Sequence, residues 1–511
     1  MNSLVVVVVI PFVSAVLLAL LNGQPRLERA INVASCLLLT AYVFWLLVYV
    51  DAHGIQMTRI GGYVAPFGIA FVADRLACIM LCLSMSVGTV ALLVSLPTLT
   101  DVQERYFFHP LFQVLLLGVN WSFITGDLFN LFVAYEVMLV GSYGCMMVGA
   151  SRQQVRQTLM YIAVNLVAGA LFVVGLGLLY AVVGSLNMAD VAERTAALAG
   201  PRAAIVTAVS MVLLIVFALK AGSFPVFSWL PDAYPIVPAG VNGYFAGLLT
   251  KVGVYSLIRV FVMTLRQPGC TLALDVLLVA SGFTMILGVL GALCQWEIRR
   301  ILSWHIISQV GYMIMGIGLA GNPALAPAAV AGTIFYVAHH IIVKSSLFMI
   351  GGVAELVSGS RKLKEMGGIA ALAPSAAALF FIAAFSLAGM PPFSGFLSKL
   401  LLVRVGLAAD HGVIVAVAVV TSFFTLLSML KIWSYAFWGR PPTRSAGGGW
   451  RAAAAPAALL VAATVVLGLW GQPLLRLATD AANDVTNPTA YVEAVLGHGA
   501  VVTAAASGAA P

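Results

Sequence analysis

Runs of about 20 consecutive apolar residues recur along almost the whole of this chain. A run of that length is enough for an α-helix to cross the hydrocarbon core of a bilayer. Hydrophobic residues make up 62% of the 511 residues and charged residues only 9%, and the mean hydropathy is +1.06. Because soluble domains carry about 25% charged residues, this composition excludes a soluble protein and predicts an all-α polytopic membrane protein.

The apolar runs predict about fourteen membrane-spanning helices. They lie near residues 3–22, 28–50, 74–97, 106–125, 127–149, 157–184, 203–224, 239–264, 270–293, 301–320, 326–356, 370–405, 411–436 and 452–475. The Gly-rich segment 51–73 predicts an ordered loop outside the membrane. The Ala/Gly/Thr-rich residues from Asp480 onward predict a mobile, dispensable tail.

Basic residues are divided unequally between the two sides of the predicted membrane protein. Loops after even-numbered spans hold far fewer basic residues, namely Arg59, Arg194, Arg202 and Arg266. Loops after odd-numbered spans hold Arg26, Arg29, Arg105, Arg152, Arg156, Arg299, Arg300, Arg361, Lys362, Lys364, Arg440, Arg444 and Arg451; we call this side the arginine-rich face. Since positive charge is retained in the cytoplasm, the arginine-rich face is predicted to be cytoplasmic, with both termini outside. The same bias explains the net charge of +8 without a nucleic-acid partner.

Two segments in the middle of apolar runs resemble each other. Residues 222–228 read GSFPVFS and residues 389–394 read GMPPFS, and a lysine lies close to each. Proline interrupts a helix because it lacks an N–H and clashes with the preceding turn, so helix breaks are expected at Pro225, Pro231, Pro391 and Pro392. The match predicts two five-helix repeats, spans 4–8 and 9–13, although chance similarity of such short strings is an alternative.

An odd number of helices inverts the second repeat relative to the first, which is the design of carriers with midplane sites between discontinuous helices. The chain then divides into flanking helices (1–105), a first repeat (106–266), a second repeat (267–437), and a final helix with the mobile tail (438–511).

Ionisable side chains inside the predicted spans are the strongest functional signal. They are Glu136, Lys220, Lys251, His340, Lys344 and Lys399. A lysine at the centre of a membrane helix costs roughly 3 kcal/mol, so such residues are functional candidates. One acid followed by several bases, spread over both repeats, favours a hydrated proton path over a single substrate pocket.

Glu136 and Lys220 are the natural pair in this series. At about 1.5 Å per residue, Glu136 lies roughly 14 Å beyond Asp127, near the membrane midplane. We expect the acid to pair with Lys220 and the pair to open and close as a switch. A static pair that only fixes helix packing is the alternative, but apolar residues can replace such a pair at little cost.

The bases of the second repeat fit a proton relay. His340 and Lys344 are four residues apart and share a helix face, and histidine titrates near neutral pH. Each residue also has a purely structural alternative. A histidine here could be hydrogen-bonded to a neighbouring group, and the Lys251 side chain could extend to water at the end of its span. The six cysteines form no CxxC pair, so we predict neither a metal nor a cofactor.

Several motifs resemble the antiporter-like subunits shared by respiratory complex I, membrane-bound hydrogenases and Mrp-type multisubunit Na+/H+ antiporters. They are DRLACIMLCLSMS, FNLFVAYEVMLVGSYG, LKAGSFPVFSWLPDAYP and RRILSWHIISQVGYM, and the resemblance covers residues 70–435. Within the family the sequence is most similar to the D subunits of the Mrp branch. Lys399 supports that branch, because the middle complex I subunit usually has a glutamate there.

The resemblance implies roles for individual residues. Glu136 and Lys220 correspond to the acid–lysine pair of the family, Lys251 to its central lysine and Lys399 to its distal lysine, whereas the family varies at His340 and Lys344. It further implies a secondary transporter subunit, not an enzyme, that exchanges Na+ (K+ or Li+ as alternatives) for protons with other membrane subunits in a bacterial inner membrane. A proton-pumping subunit of complex I or of a hydrogenase is the alternative function, and an inactive scaffold is a third.

Overall fold

The computed structural model of the chain describes residues 3–440 and 449–497. Within these residues the fold is almost entirely helical, and the predicted all-α class is confirmed. The first half contains α1 (Val6–Leu20), α2 (Pro25–His53), α3 (Arg75–Ser95), α4 (Asp101–Arg105), α5 (Phe108–Ile124), α6 (Leu128–Met147), α7 (Arg152–Val183), α8 (Met188–Ala196), α9 (Gly200–Ala221), α10 (Leu230–Ala233), α11 (Ala239–Tyr244) and α12 (Thr250–Leu257).

The second half contains α13 (Thr271–Cys294), α14 (Ile298–Leu319), α15 (Ala326–Ser358), α16 (Ile369–Leu372), α17 (Pro374–Ala388), α18 (Ser394–Ala408), α19 (Gly412–Ile432), α20 (Trp450–Leu469), α21 (Gln472–Thr486) and α22 (Thr489–Leu496). Three π-helical segments, Phe245–Leu249, Ile258–Thr264 and Trp433–Phe437, continue neighbouring helices. The first two join α11 and α12 into one span, Ala239–Thr264.

Eleven helices among the described residues are long and apolar enough to cross a membrane. Three shorter apolar helices, α1, α5 and α17, accompany them. The count of about fourteen spans and the inverted repeats remain predictions. The predicted loop 51–73 contains an antiparallel hairpin, β1 (Gln56–Arg59) and β2 (Ala70–Ala73), in which Gln56 pairs with Ala73.

Helices end just before Pro225 and before the Pro391–Pro392 pair, as predicted. The prediction for Pro231 is wrong: it lies in the first turn of α10, where a proline is compatible with the helix. α9 ends at Ala221 with Gly222 in the left-handed region (φ 75°), and α17 ends at Ala388 with Gly389 in the same region (φ 90°). A left-handed glycine terminates a helix without the strain that a side chain would add. Each break is followed by a further helix, α10 or α18, and each carries a lysine close by.

The long span α15 is buried along nearly its whole length. α11 packs against it through small residues, with Gly243 against Met349 and Gly247 against Ser345. Close approach of this kind is typical of membrane helices, which lack a hydrophobic driving force for association and depend on packing. The contact brings the two predicted repeats together along α11 and α15.

The C-terminal residues correct the sequence-based prediction. We predicted a mobile tail from Asp480, but α21 and α22 are packed helices, and Ala478, Ala481, Ala482 and Val485 are fully buried. The Asp484 side chain accepts a hydrogen bond from Arg75 at 2.9 Å, although burial raises the pKa of this carboxyl. Arg75 therefore ties α21 to α3. Arg444 and the rest of the predicted tail, 498–511, lie outside the described residues.

Gly253 fixes the distance between α12 and α9. A Cβ atom at this position would lie 2.5 Å from the backbone nitrogen of Ala221 and 2.8 Å from the carbonyl carbon of Lys220. We expect Gly253→Ala to destabilise the fold by about 1–3 kcal/mol, since backbone atoms must move to admit the methyl group. Thermal unfolding of the purified protein in detergent measures this.

Gly177→Ala is the matched control. Gly177 lies within α7, is exposed, and has open space where a Cβ would be. Alanine is a better helix former than glycine by about 1 kcal/mol, so the unfolding temperature of the Gly177→Ala variant will equal or exceed that of the wild type. Equal effects of the two substitutions would contradict the close packing of α12 on α9.

Candidate proton path

Glu136 and Lys220 lie near each other but are not in contact. The Lys220 ammonium group donates a hydrogen bond to Asn165 Oδ1 on α7, at 3.1 Å, and lies 5.5 Å from the centre of the Tyr135 ring. Among the described residues, Glu136 forms no ion pair within 4.0 Å, yet its charge acts on Lys220. The predicted ion pair is therefore not formed, and Asn165 accepts the hydrogen bond of the lysine instead.

One oxygen of the Glu136 carboxylate has no hydrogen-bond partner. Its Oε1 is buried and unpaired, and it lies 2.9 Å from where a Cβ on Gly169 would be. The side chain as a whole is partly exposed on the surface of α6. A carboxylate without partners at membrane depth is costly unless a cation or a proton reaches it.

Lys251 lies at the centre of the molecule and is fully buried. Its ammonium group donates to the carbonyl oxygen of Ala246 at 2.7 Å and to Thr250 Oγ1 at 3.1 Å. Both partners belong to the same helix, and no carboxylate neutralises this lysine among the described residues. The π-helical segment Phe245–Leu249 provides the Ala246 carbonyl, as π-bulges at functional sites commonly do.

His340 and Lys344 follow on α15, and both are fully buried. The Lys344 ammonium group and both ring nitrogens of His340 lack a hydrogen-bond partner. The charge of Lys251 acts on each of them. Most buried polar groups in native proteins are hydrogen-bonded, so these unpaired nitrogens are exceptional and mark the site as one that the fold does not satisfy by itself.

Further unpaired polar groups lie between α11 and α15. Both amide atoms of Asn242 and the hydroxyl of Ser345 are buried without partners. Ser345 adjoins Lys344 in sequence, and Asn242 lies about one helical turn before the π-segment that leads to Lys251. The sequence analysis did not select these two residues, because an isolated Asn or Ser in an apolar run gives little signal.

His305 is a functional candidate that the sequence analysis missed. It is fully buried on α14, both of its ring nitrogens are unpaired, and the charges of Lys344 and Lys399 both act on it. A histidine near the start of an apolar run is a signal that could have found it, but SWHIISQ was considered only as part of a family motif. His305 therefore lies within electrostatic range of both Lys344 and Lys399.

Lys399 lies beside the second helix break. Its ammonium group donates to the carbonyl oxygens of Leu387 and Ala388, at 3.1 and 3.0 Å, which are the carbonyls that the end of α17 leaves free. It lies 5.1 Å from the centre of the Tyr312 ring. The break therefore gives the lysine its hydrogen-bond partners.

His339, adjacent to His340, has a different environment. Its Nδ1 lies 2.8 Å from Ser394 Oγ, and Ser394 in turn contacts Thr464 at 2.7 Å. Its Nε2 is buried and unpaired, and the charge of Lys399 acts on the ring. His339 thus connects the start of α18 with α20 and borders the path at Lys399.

Taken together, a row of buried ionisable groups crosses the molecule beside two broken helices, which is the arrangement of membrane proteins that carry ions. No group of three or more His, Cys, Asp or Glu in the described part of the chain could hold a metal ion.

Residues 125–425 match the family model described as "NADH:quinone oxidoreductase/Mrp antiporter, TM". The chain belongs to this family.

Individual relatives cover the full length. The chain is 41% identical to the D subunit of the Na(+)/H(+) antiporter of Alkalihalophilus pseudofirmus, over 97% of this chain and 100% of that protein. A chain in the Mrp complex from Dietzia sp. DQ12-45-1b has a TM-score of 0.90 at 34% identity, with coverage of 97% and 99%. These matches confirm the predicted resemblance to Mrp D subunits.

A chain of respiratory complex I from Thermus thermophilus shares the fold as well. Its TM-score is 0.79 at 20% identity, covering 96% of this chain and 99% of that one. At this identity the match establishes the fold alone.

Proposed function

We propose that this chain is a proton-translocating subunit of a multisubunit Na+/H+ antiporter. The observation that carries the proposal is the series of buried, uncompensated bases Lys251, His340, Lys344, His305 and Lys399, in which neighbouring members interact electrostatically. Glu136 and Lys220 form the other end of the path. The similarity to a full-length Na(+)/H(+) antiporter protein supports the exchange of Na+ for H+.

Proton transfer along this row requires that each base give up its proton to the next. Burial without a counter-ion weakens the hold of a lysine on its proton, and a neutral lysine can accept one from a neighbouring imidazole or water. Because the nitrogens of His305, His340 and Lys344 are unpaired, water molecules can bridge them without first displacing protein partners. Grouped lysines and one acid do not make the oxygen-rich site that Na+ prefers, so Na+ passes through a partner subunit.

The assembly and its membrane are part of the same proposal. The chain works with the other membrane subunits of the antiporter complex, in a bacterial inner membrane, with K+ or Li+ as alternative cations. The arginine-rich face is cytoplasmic and both termini are outside. Complex I membership is the alternative function, supported here by a shared fold at 20% identity, against 41% identity to an antiporter protein.

Everted membrane vesicles test the function directly. The complex is expressed in cells that lack their own Na+/H+ antiporters, and dissipation of a ΔpH on addition of Na+ is measured. Robust Na+-dependent dissipation is expected. A wild-type complex that assembles but responds only to NADH- or hydrogen-linked electron transfer would favour the redox alternative.

His305→Gln tests the newly assigned step in the same vesicles. Glutamine preserves polarity but does not titrate, so transport should fall by roughly 100-fold, the scale of one positioned proton-transfer group. His53→Gln is the matched control, because His53 is exposed at the end of α2 and is distant in sequence from the buried ionisable residues of the path. An assembled His305→Gln complex with full transport would remove His305 from the path.

A further inference from the structure

A second group of buried polar side chains lies outside the row, where α2, α4 and α5 meet at the arginine-rich face. Arg29 donates two hydrogen bonds to Glu104, from Nε to Oε1 and from Nη2 to Oε2, both at 2.8 Å. His109 Nε2 lies 3.5 Å from Glu104 Oε1. The His109 side chain is completely buried, and the proposed path does not use it.

The other nitrogen of His109 defines which tautomer is present. His109 Nδ1 lies 2.8 Å from Asn32 Nδ2, and Asn32 Oδ1 accepts a hydrogen bond from Gln113 Nε2 at 2.7 Å. An amide nitrogen can only donate, so Nδ1 accepts here. A neutral His109 therefore carries its proton on Nε2, which lies 3.5 Å from Glu104 Oε1 and forms no hydrogen bond.

Protonation of His109 reverses this hydrogen-bond chain. A proton on Nδ1 needs an acceptor, which Asn32 offers only after its amide rotates by half a turn. The Asn32 Nδ2 group then faces Gln113. To accept a hydrogen bond from it, the Gln113 amide must also rotate, so that Oε1 replaces Nε2. Both amides keep their volume when they rotate, so one packing accommodates two opposite hydrogen-bond directions.

Opposing charges surround the ring, and its complete burial disfavours the imidazolium. The Cys36 thiol on α2 lies beside both amides, 3.9 Å from Asn32 Oδ1 and 3.6 Å from Gln113 Nε2. Glu104 on α4 attracts the imidazolium and Arg29 on α2 repels it, while Asp101 on α4 acts on Arg29. α1, which packs against α5, contributes no ionisable side chain. Because Arg29 already neutralises Glu104 through two hydrogen bonds, neither charge alone fixes the protonation state of His109.

α5 connects this group to the path. At its other end, Asn120 Oδ1 accepts a hydrogen bond from Ser84 at 2.7 Å, and Ser84 contacts the Tyr244 hydroxyl at 2.9 Å. Tyr244 ends α11, immediately before the π-segment that supplies the Ala246 carbonyl to Lys251. These contacts link α5 continuously to the surroundings of Lys251.

We propose that His109 is a proton-binding site at the arginine-rich face, and that its protonation, relayed by Asn32 and Gln113, sets the pH dependence of transport. The inference rests on the proposed function, because the path supplies the activity that this site regulates. The ligand is the proton itself, taken from the side of the protein on which the arginine-rich loops lie.

Two substitutions test the site from opposite directions. Asn32→Asp offers only acceptors to Nδ1 and favours the protonated ring, so the pH-dependent step in Na+-driven ΔpH dissipation should move to higher pH by about one unit or more. His109→Gln retains a hydrogen-bonding side chain that cannot be protonated, so the step should disappear. The control His53→Gln should keep the wild-type profile. The profile is recorded in vesicles from about pH 5 to about pH 8.

Assembly is checked by native gel electrophoresis of each complex. Wild-type pH profiles in assembled Asn32→Asp and His109→Gln complexes would overturn the proposal. If Asn32→Asp fails to assemble, the profile of His109→Gln decides alone.

A direct measurement separates this site from the path. ¹⁵N spectra of the histidine-labelled complex, minus those of His109→Gln, should show an imidazole protonated at Nε2 that gains a second proton as the pH falls. A proton on Nδ1 alone would overturn the assignment, whether or not the complex transports Na+. Conversely, intact transport in Lys251→Met would refute the path without affecting this result.

Discussion

Replacing Lys251 by methionine will abolish transport without destabilising the protein. Methionine preserves most of the volume of lysine but has no charge and cannot carry a proton. Lys251 is fully buried, and its ammonium group is held only by the Ala246 carbonyl and the Thr250 hydroxyl. The fold therefore gains when the charge is removed, whereas the path loses its central member. We expect transport to fall by roughly 100-fold or more.

Two measurements on the same preparation decide this prediction. Na+-dependent ΔpH dissipation reports transport, and thermal unfolding of the detergent-solubilised complex reports stability. Lys362→Met is the control, since Lys362 is 71% exposed beside Glu365 on a loop and neither measurement should change. Wild-type transport in Lys251→Met would exclude Lys251 from the path. Loss of both transport and stability would instead indicate a structural role.

The sequence located the buried lysines well, because a charge in an apolar run stands out against its neighbours. Lys220 and Lys399 were each predicted beside a proline-containing break, and the structure has a left-handed glycine and a break at both positions. His305, Asn242 and Ser345 were not predicted. Their role depends on which helices meet, and periodicity along one helix does not contain that information.

Hydrogen-bond partners were the other part that the sequence could not supply. Glu136 and Lys220 were expected to pair, yet Asn165 on α7 accepts the hydrogen bond of the lysine. Many polar residues lie within reach of a lysine side chain. Asn165 and Lys220 are 55 residues apart in the chain, so their contact depends on tertiary packing, which the sequence pattern does not reveal. The same limit explains the tail, since small residues such as Ala481 look mobile in sequence but suit close packing on α15 and α3.

Replacing Asp74 by alanine will cause the largest loss of stability that we predict. Asp74 and Arg259 form a bidentate ion pair, and each side chain is only 2% exposed. Asp74 also caps α3 by accepting a hydrogen bond from the Ala77 backbone at 2.9 Å. Its removal leaves the guanidinium group buried without a counter-ion, which costs about 3–5 kcal/mol, and the lost cap adds about 1 kcal/mol.

The double variant Asp74→Asn/Arg259→Met separates the unpaired charge from other effects. It keeps a capping side chain and removes both charges, so it should be more stable than Asp74→Ala in thermal unfolding of the purified complex. Glu365→Ala, which breaks an exposed pair with Lys362, should leave the unfolding temperature unchanged. If Asp74→Ala unfolds at the wild-type temperature, the pair is not what joins α3 to the end of the Ala239–Thr264 span. In that case the aromatic contacts of Arg259 with Tyr255 and Tyr491, at 5.0 and 5.7 Å, must hold this junction.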